Sequence, residues 1–346
     1  MAHNNYHQLQ ITAIIRETKD AATFILQPLH GWQPSYKPGQ FLTLVFDTRH
    51  GEKRRSYSVS SSPVLGEPIS ITIKRVENGE FSRLLLSHAK VGDVLNTQGI
   101  NGFFLLPDDQ KDTELFFFLA AGSGITPCYA LIKTLLQTTN KPVALIYSNR
   151  SEEDTIFKSQ LQLLQETYKE RFHIRFLFSN KTDVYQSRLS NWLLQQIIKK
   201  YMLTAKQRTL FYLCGPFEYM QMITITLLNE GIPKQNIRKE NFNSLPRIVK
   251  PVPPDTARHF VTINFQNKVY RINVQYPQTV LAAAKENNIA LPYSCEAGRC
   301  GSCAATCTSG KFWMAYNEVL MDDELAAGRI LCCQAYPVEG DAEITV

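Results

Sequence analysis

Long apolar runs are absent from this chain of 346 residues. No stretch approaches the roughly 20 consecutive apolar residues that a membrane-spanning helix needs. The most apolar run, at 115–121, leads directly into a glycine turn. The first residues also lack the basic segment followed by an apolar one that marks a secretory signal. We therefore expect a cytoplasmic protein with no membrane insertion.

The chain also has a small net charge and few cysteines. The 37 Lys and Arg residues exceed the 31 Asp and Glu residues by six, which is too small a surplus to indicate nucleic-acid binding. The eight cysteines are too few for a disulfide scaffold. Six of them lie between residues 295 and 333, and clustered cysteines in a reducing compartment more often serve metal or redox chemistry. The length predicts two or three domains.

Residues 1–110 contain short strand-like segments separated by turns, at 8–15, 22–27, 41–46, 57–60 and 69–76. Such spacing is typical of a small antiparallel β-barrel. Residues 111–243 instead alternate strands with helices. The strands are at 115–119, 143–147, 172–178 and 209–213, and the helices at 127–138, 153–169, 187–200 and 216–230. This alternation predicts a doubly wound parallel α/β sheet.

A proline-rich stretch follows. Residues 244–258 contain four prolines, which stiffen and extend a chain, so we expect a semi-rigid linker. The last domain, 259–346, begins with a predicted hairpin of 260–265 and 269–274. Residues 111–245 carry 17 basic against 11 acidic residues, whereas 259–346 carry 6 against 9. We expect this asymmetry to guide docking between the two domains.

The cysteine cluster has the spacing of a plant-type [2Fe–2S] site. Cys295, Cys300 and Cys303 form C-x4-C-x2-C, and a fourth thiolate would come from the distant pair Cys332 and Cys333. Adjacent strand residues point to opposite faces, so only one of that pair can be a ligand. The alternatives are buried structural thiols or a zinc site, which usually shows two C-x2–4-C pairs.

Small residues around this loop, among them Gly298 and Gly301, would let backbone N–H groups turn toward the sulfurs. Cys128 and Cys307 lie outside the pattern. Free cysteine behaves as a small hydrophobic residue, so we expect both to be buried packing residues.

Gly122 and Gly124 stand between an apolar strand and a helix, in the sequence AGSGITP at 121–127. Glycines there let the backbone approach a diphosphate, and the helix start adds N–H groups and a favourable dipole. Alone, this could be a plain strand–helix turn. Two further strand ends support a nucleotide site: YSNR at 147–150, and LCGP at 213–216, where Gly215 permits close approach. Ligands bind at the carboxyl ends of parallel strands.

Arg55, Tyr57 and Ser58 belong to the segment RSYS in the first domain. The two-residue period of a strand puts Arg55 and Tyr57 on one face, where an arginine and an aromatic ring suit a flavin and its pyrophosphate. Alone, this would be an ordinary strand with a surface arginine. A second segment, NGEFS at 78–82, places Gly79 and Ser82 at the start of an amphipathic segment, where helix-start amides suit a phosphate.

Together these segments resemble the ferredoxin–NADP⁺ reductase superfamily. The motifs that carry the resemblance are R-x-Y-S at 55–58, G-x-F-S at 79–82, G-S-G-I-T-P at 122–127, C-G-P at 214–216 and the cysteine pattern. The domain order is similar to that of reductase components of bacterial oxygenases, over essentially the whole chain. The resemblance implies FAD, NAD(P)H and a [2Fe–2S] cluster, the last in an α+β β-grasp ferredoxin domain; a related dioxygenase group uses FMN.

The resemblance also implies residue roles. The flavin phosphate, ring and N5 edge would be held by Arg55, Tyr57 and Ser58. The ribityl–diphosphate path would be lined by Lys74, Gly79, Phe81 and Ser82. The pyridine nucleotide would meet Gly122, Gly124 and Thr126, with Cys214 and Gly215 near the nicotinamide. Positions beside the flavin are matched by Glu240 and Phe242. The catalytic candidates are Ser58, Cys214 and Glu240, and the resemblance favours Cys333 as the fourth cluster ligand.

The implied function is electron transfer from NAD(P)H through FAD and the cluster to a partner, either a di-iron or Rieske oxygenase or another electron-acceptor protein. Two other interpretations stay open. One is a stand-alone reductase serving a small acceptor or a hybrid-cluster protein. The other, of a different class, is a redox-sensing or zinc-binding interaction module.

The sequence favours NADPH over NADH. Ser148 and Arg150 offer groups suited to a ribose 2′-phosphate, where an acidic residue would favour a free 2′-hydroxyl. Against this, Glu152, Glu153 and Asp154 follow closely.

Overall fold

The computed structural model describes residues 6–49, 51–183, 185, 187–201, 206–242 and 251–346. Three main sheets follow one another along the chain. We propose that they correspond to domains at 1–110, 111–243 and 259–346. Of the expected linker, 244–250 lie outside the described residues, and 251–258 run to the third domain without helix or strand.

The first sheet has six antiparallel strands in the order β4-β3-β6-β1-β2-β5. Its elements are β1 (His7–Thr18), β2 (Ala21–Pro28), β3 (Phe41–Thr48), β4 (Gly51–Ser58), β5 (Ile69–Lys74), α1 (Glu80–His88) and β6 (Val94–Asn101). A bridge between Val59 and Ile71 joins the two ends of the sheet, so it closes into the expected barrel. Buried apolar side chains such as Leu9, Leu42 and Ile71 fill its interior.

The strand predicted at 57–60 is wrong in its limits. β4 covers Gly51–Ser58 and pairs with β3 along its whole length. The sequence hides this strand because residues 52–56 are all polar, and Arg54 is the only buried one among them.

The second sheet is parallel, with strand order β11-β10-β7-β8-β9, which confirms the doubly wound fold. Its elements are β7 (Leu115–Ala121), α2 (Ile125–Thr138), β8 (Val143–Asn149), α3 (Lys158–Thr167), β9 (Phe172–Phe178), α4 (Asn191–Tyr201), β10 (Thr209–Cys214), α5 (Phe217–Asn229) and β11 (Ile237–Glu240). Alternate residues of β7 face opposite cores: Phe116 and Phe118 join α2 and α3, while Phe117 and Leu119 join α4 and α5.

The third sheet is mixed, in the order β13-β12-β18-β14-β16, beside a two-stranded sheet of β15 and β17. Its elements are β12 (His259–Phe265), β13 (Lys268–Val274), α6 (Val280–Glu286), β14 (Ala304–Ser309), β15 (Phe312–Met314), α7 (Asp322–Ala326), β16 (Arg329–Leu331), β17 (Ala335–Pro337) and β18 (Ala342–Thr345). The predicted hairpin is confirmed as β12 and β13. The Thr279 side chain accepts a hydrogen bond from Ala282 N and caps α6.

Buried polar contacts join the barrel to the second sheet. The Lys133 ammonium of α2 pairs with Glu67, and Thr134 Oγ1 donates to Ser62 Oγ at 2.8 Å. The expected charge asymmetry contributes Lys234–Asp322, at 3.0 Å, between the second and third sheets. Both partners of that pair are exposed, so it adds at most about 1 kcal/mol. No helix in the described part of the chain is long and apolar enough to cross a membrane.

Candidate active site

A cavity of about 560 Å³ lies where the three domains meet. Its walls bring together Ser58 from the end of β4, Glu240 and Phe242 from the end of the second sheet, and Cys295 and Cys300 from the cysteine loop. These five residues span almost 250 positions of sequence. The fold therefore brings predicted site residues from all three domains together in one cavity.

Ser58 and Glu240 give this cavity its chemistry. Ser58 Oγ and Glu240 Oε2 are buried and have no hydrogen-bond partner among the described residues. Burial raises the pKa of Glu240 to about 8, and the neighbouring Ser58 hydroxyl partly offsets the rise. At pH 7 the carboxyl is thus mostly neutral and can donate a hydrogen bond. Unpartnered polar atoms at a cavity wall fit a bound ring with a polar edge, as a flavin has.

Arg55 and Tyr57 lie next to Ser58 on β4. The exposed Arg55 guanidinium donates to Arg54 O at 2.7 Å and lies 5.0 Å from the centre of the Phe81 ring. The Tyr57 side chain is largely buried, which raises the pKa of its hydroxyl. Arg55 is thereby placed beside α1, and it lines the three-domain cavity together with Ser58.

Gly79, Phe81 and Ser82 build the start of α1. Gly79 is the N-cap, and Ser82 Oγ accepts from Val76 N at 3.1 Å and donates to Gly79 O. Phe81 is buried against Phe46. The Ser82 hydroxyl therefore serves the preceding loop, and the backbone N–H groups of the first turn are what this helix offers a phosphate.

A second cavity, of about 540 Å³, opens at the carboxyl ends of the parallel strands. Predicted residues that line it are Gly122, Gly124, Arg150, Gly215 and Phe242. Lys74, expected along the flavin path, also lines this second cavity. Its basic residues are Lys74, Arg150 and Arg188, and no acidic residue is found in the described lining. The cavity therefore suits an anionic nucleotide.

Gly122 and Gly124 are required for different reasons. Gly122 has φ +54°, a left-handed conformation that glycine adopts without strain. A Cβ atom on Gly124 would lie 2.0 Å from the carbonyl oxygen of Cys214. Gly124 thus allows β10 to pack against the start of α2, beyond any contact with a ligand.

Two expected nucleotide contacts do not line this cavity. Thr126 is buried, and its hydroxyl donates to Ser123 O at 2.9 Å. Cys214 is fully buried, and burial raises its thiol pKa well above the usual range. Both side chains therefore support the loops around the cavity, and a direct role for either stays a prediction.

Arg188 is a site residue that sequence reasoning missed. It lines the nucleotide cavity together with Ser148, Arg150, Ser179 and Ser187. It precedes α4 and carries no motif, and only the folded sheet brings it next to Arg150. The surplus of basic residues in the second domain was the one available signal.

The four predicted cluster ligands form two pairs. The Cys295 thiolate accepts hydrogen bonds from the Cys300 thiol and from Ala297 N, which lower the pKa of Cys295 to about 6. Cys333 N donates to Cys303 Sγ at 3.5 Å, and the Cys303 and Cys333 thiols hydrogen-bond each other. Among the described residues, no group of three or more His, Cys, Asp or Glu is arranged to hold a metal ion. The four thiols are nevertheless the donor set that a [2Fe–2S] cluster takes.

The cysteines outside the predicted ligand set differ in their burial. Cys332 is buried in the core of the third domain, and burial raises its thiol pKa. Cys128 is likewise a buried core residue, as expected. The expectation for Cys307 is wrong: it lies partly exposed near the end of β14, and its thiol faces Ser309 O. All eight cysteines are free thiols.

Comparison with known proteins agrees with this arrangement. Residues 8–105 match the oxidoreductase FAD-binding domain, 118–224 the oxidoreductase NAD-binding domain, and 263–338 the 2Fe-2S iron-sulfur cluster binding domain. The chain is 32% identical to a subunit of the 1,2-phenylacetyl-CoA epoxidase of Escherichia coli, over 98% of this chain and 97% of that protein. It is 31% identical to the ferredoxin reductase component of the 3-ketosteroid-9-alpha-monooxygenase of Mycolicibacterium smegmatis, over 98% and 96%.

Solved structures share the fold. Phthalate dioxygenase reductase aligns over 99% of this chain and 98% of its own, with a TM-score of 0.60 and 22% identity. An intact type IV self-sufficient cytochrome P450 monooxygenase aligns over 98% of this chain with a TM-score of 0.74 and 19% identity, and this chain spans 41% of it. The chain belongs to the ferredoxin–NADP⁺ reductase superfamily of oxidoreductases, in the group whose FAD-binding and NAD-binding domains are followed by a C-terminal [2Fe–2S] domain.

Proposed function

We propose that this protein is the reductase component of an oxygenase, and that it passes electrons from NADPH through FAD and the [2Fe–2S] cluster to that partner. The observation that carries the proposal is the cavity lined by Ser58, Glu240 and Cys295, because residues expected at the flavin edge and a residue expected to bind the cluster share its wall. The relatives that span the whole chain are a subunit of phenylacetyl-CoA epoxidase and a monooxygenase reductase component.

When bound, FAD accepts two electrons from a reduced nicotinamide and releases them singly, and the cluster carries one electron at a time. The residues of this chain supply placement. Phe242 borders both cavities, so it stands between the nucleotide and flavin positions. Glu240, neutral at pH 7, holds a proton at the cavity wall beside the Ser58 hydroxyl.

Three charged residues support NADPH as the donor. The nucleotide cavity is lined by Lys74, Arg150 and Arg188. Two of the three nearby acids that argued against NADPH pair with lysines: Glu152 with Lys158 at 2.6 Å, and Asp154 with Lys19 at 3.8 Å. The ratio of kcat/KM for NADPH and NADH tests this preference, and a ratio below one would contradict it.

The electron route is tested by anaerobic stopped-flow reduction of the full chain with both cofactors bound. We expect flavin absorbance to fall before cluster absorbance. A preparation that keeps the cluster but lacks FAD should not be reduced by NADPH. Cluster reduction in that preparation would refute the route.

The partner is tested by reconstitution with an oxygenase. We expect the reductase to support substrate turnover by a di-iron or Rieske oxygenase encoded near its gene, and to co-purify with it. Turnover of a small acceptor or a hybrid-cluster protein, without support of any such oxygenase, would favour the stand-alone alternative. A cytoplasmic location also belongs to this proposal, and the eight free thiols support it.

A further inference from the structure

Arg54 is a buried cation beside the flavin motif, and it lines the wall of the three-domain cavity together with Tyr293 and Ser294. Its side chain is 3% exposed, and its Nε atom pairs with Glu52 at 2.6 Å. Arginine is rarely buried to this extent without a partner that compensates its lost hydration. The guanidinium also donates to Gln98 Oε1 and, at 3.4 Å, to the Tyr6 hydroxyl, both within the first domain. A further partner lies outside the barrel, in the third domain.

That partner is Tyr293, two residues before the cluster ligand Cys295. The guanidinium carbon of Arg54 lies 3.7 Å from the centre of the Tyr293 ring, and Nη1 lies 3.4 Å from Tyr293 O. The Lys285 ammonium lies 3.6 Å from the same ring centre, from within the third domain. A desolvated guanidinium against an aromatic ring is a strong and directional contact.

Other barrel residues hold the same loop. Ser56 Oγ and Ser294 Oγ are 2.7 Å apart. Gln98 Nε2 donates to Leu291 O at 3.4 Å, and Tyr293 N donates to Gln98 Oε1. Residues 291–294 are therefore fixed to β4 and β6 immediately before the first cluster ligand.

Because successive side chains of a strand point to opposite faces, β4 separates these contacts from Arg55 and Tyr57. Arg54 and Ser56 contact Tyr293 and Ser294. These two residues belong to the segment 291–303 that carries the first three predicted cluster ligands, the cluster loop. Arg55 and Tyr57 alternate with the two contacting residues of β4 and lie on the opposite face of the strand. One strand thus turns Arg55 and Tyr57 to one face and the contacts with the cluster loop to the other, which is also the face of Ser58.

We propose that Arg54 is a positioning residue for electron transfer. Acting through Tyr293, it holds the cluster loop at a fixed distance from the flavin site. This inference rests on the proposed function. The step it serves moves one electron and makes or breaks no bond, and the reduced nucleotide supplies the electrons.

The test compares Arg54→Met and Arg54→Lys with Arg271→Met in the full chain carrying FAD and cluster. Arg271 is a solvent-exposed control: it also pairs with a carboxylate, Asp341, and packs on a ring, Phe260 at 4.2 Å, but does so within the third domain. Three quantities are measured: flavin reduction by NADPH, subsequent cluster reduction, and the radius of gyration from X-ray scattering.

We expect Arg54→Met to slow cluster reduction about tenfold or more and to leave flavin reduction within about twofold, because a small misplacement of reacting groups has large kinetic effects. Its radius of gyration should rise, and Arg54→Lys should be intermediate. Arg271→Met should match the wild type in all three. Tyr293→Leu should reproduce Arg54→Met, whereas Tyr293→Phe, which keeps the ring, should not.

Equal slowing of both half-reactions in Arg54→Met would indicate a merely structural role and overturn the proposal. Unchanged cluster reduction and scattering would overturn it as well. The double variant Arg54→Met, Tyr293→Leu should be no slower than either single variant, since the two residues act through one contact, and additive losses would count against that. If wild-type cluster reduction fails altogether, the proposed function is wrong, and the scattering comparison still decides whether Arg54 docks the loop.

Discussion

Replacing Glu240 with glutamine should remove a specific pH dependence from the stability of the protein. The wild-type carboxyl is buried at the wall of the three-domain cavity, and burial raises its pKa from the ordinary 4.5 to about 8. Between these values the unfolded chain has released the proton while the folded protein still holds it. The folded state therefore binds more protons, and its free energy of unfolding falls as the pH rises.

The magnitude follows from the width of that window. Each pH unit between about 4.5 and 8 lowers the free energy of unfolding by about 1.4 kcal/mol, which sums to on the order of 5 kcal/mol. The contribution of Glu240 is fully present below pH 4.5 and is lost as the pH rises through 8. Glutamine has nearly the same shape and no titration, so the variant should lack this slope.

The assay is urea unfolding of the full chain at a series of pH values from 5 to 9, for the wild type and Glu240→Gln. The difference between the two removes every other titrating group. It should favour the variant increasingly up to pH 8 and then level off. Glu166→Gln, which alters an exposed carboxylate in α3, is the control. A difference that stays flat with pH would refute the reasoning, as would a protonated carboxyl infrared band in the wild type that shows no change near pH 8.

Three further changes should have distinct effects. Gly124→Ala forces a Cβ to within 2.0 Å of Cys214 O, so it should cost about 1–3 kcal/mol of stability and raise KM for NADPH more than Gly122→Ala does, as steady-state kinetics and thermal unfolding would report. Cys333→Ala should abolish the visible absorbance of the cluster while Cys332→Ala keeps it, and the reverse result would reassign the fourth ligand. Arg188→Ala should raise KM about tenfold for NADPH and little for NADH, whereas equal effects would place the 2′-phosphate elsewhere.

Sequence patterns predicted the second domain best. Its central strands are continuous apolar runs such as 115–119, because both faces of a parallel sheet are buried. Strand and helix limits differ by a few residues, and the short edge strand β11 was not predicted, because its sequence IRKE is mostly charged. The strand at 51–58 was hidden since its residues are mostly polar, and they line the three-domain cavity or contact the third domain. The spacing of Cys295, Cys300 and Cys303 predicted a site directly, because three ligands on one loop are local in sequence.

Long-range partners could not be predicted in the same way. Arg54 and Tyr293 are 239 positions apart, and no local pattern relates a barrel arginine to a residue of another domain. Arg188 and Arg150 line the same cavity only because the strand order of the folded sheet brings their two segments together. Cys307 was expected to be buried because free cysteine usually is, and its position near the end of β14 leaves it half-exposed.

The alternation of β4 has a consequence for how this protein can change in evolution. Deleting or inserting one residue between positions 54 and 58 would exchange the two faces of the strand, turning the arginine and tyrosine of the flavin motif toward the cluster loop. A change of two residues would restore the faces, but it would shift the contacts with the cluster loop by about 7 Å along the strand. The paired residues Thr48 and Gly51, at the far end of β3 and β4, lie beyond these contacts. We therefore expect homologues to vary in length between these two positions and to keep the interval from Arg54 to Ser58 constant.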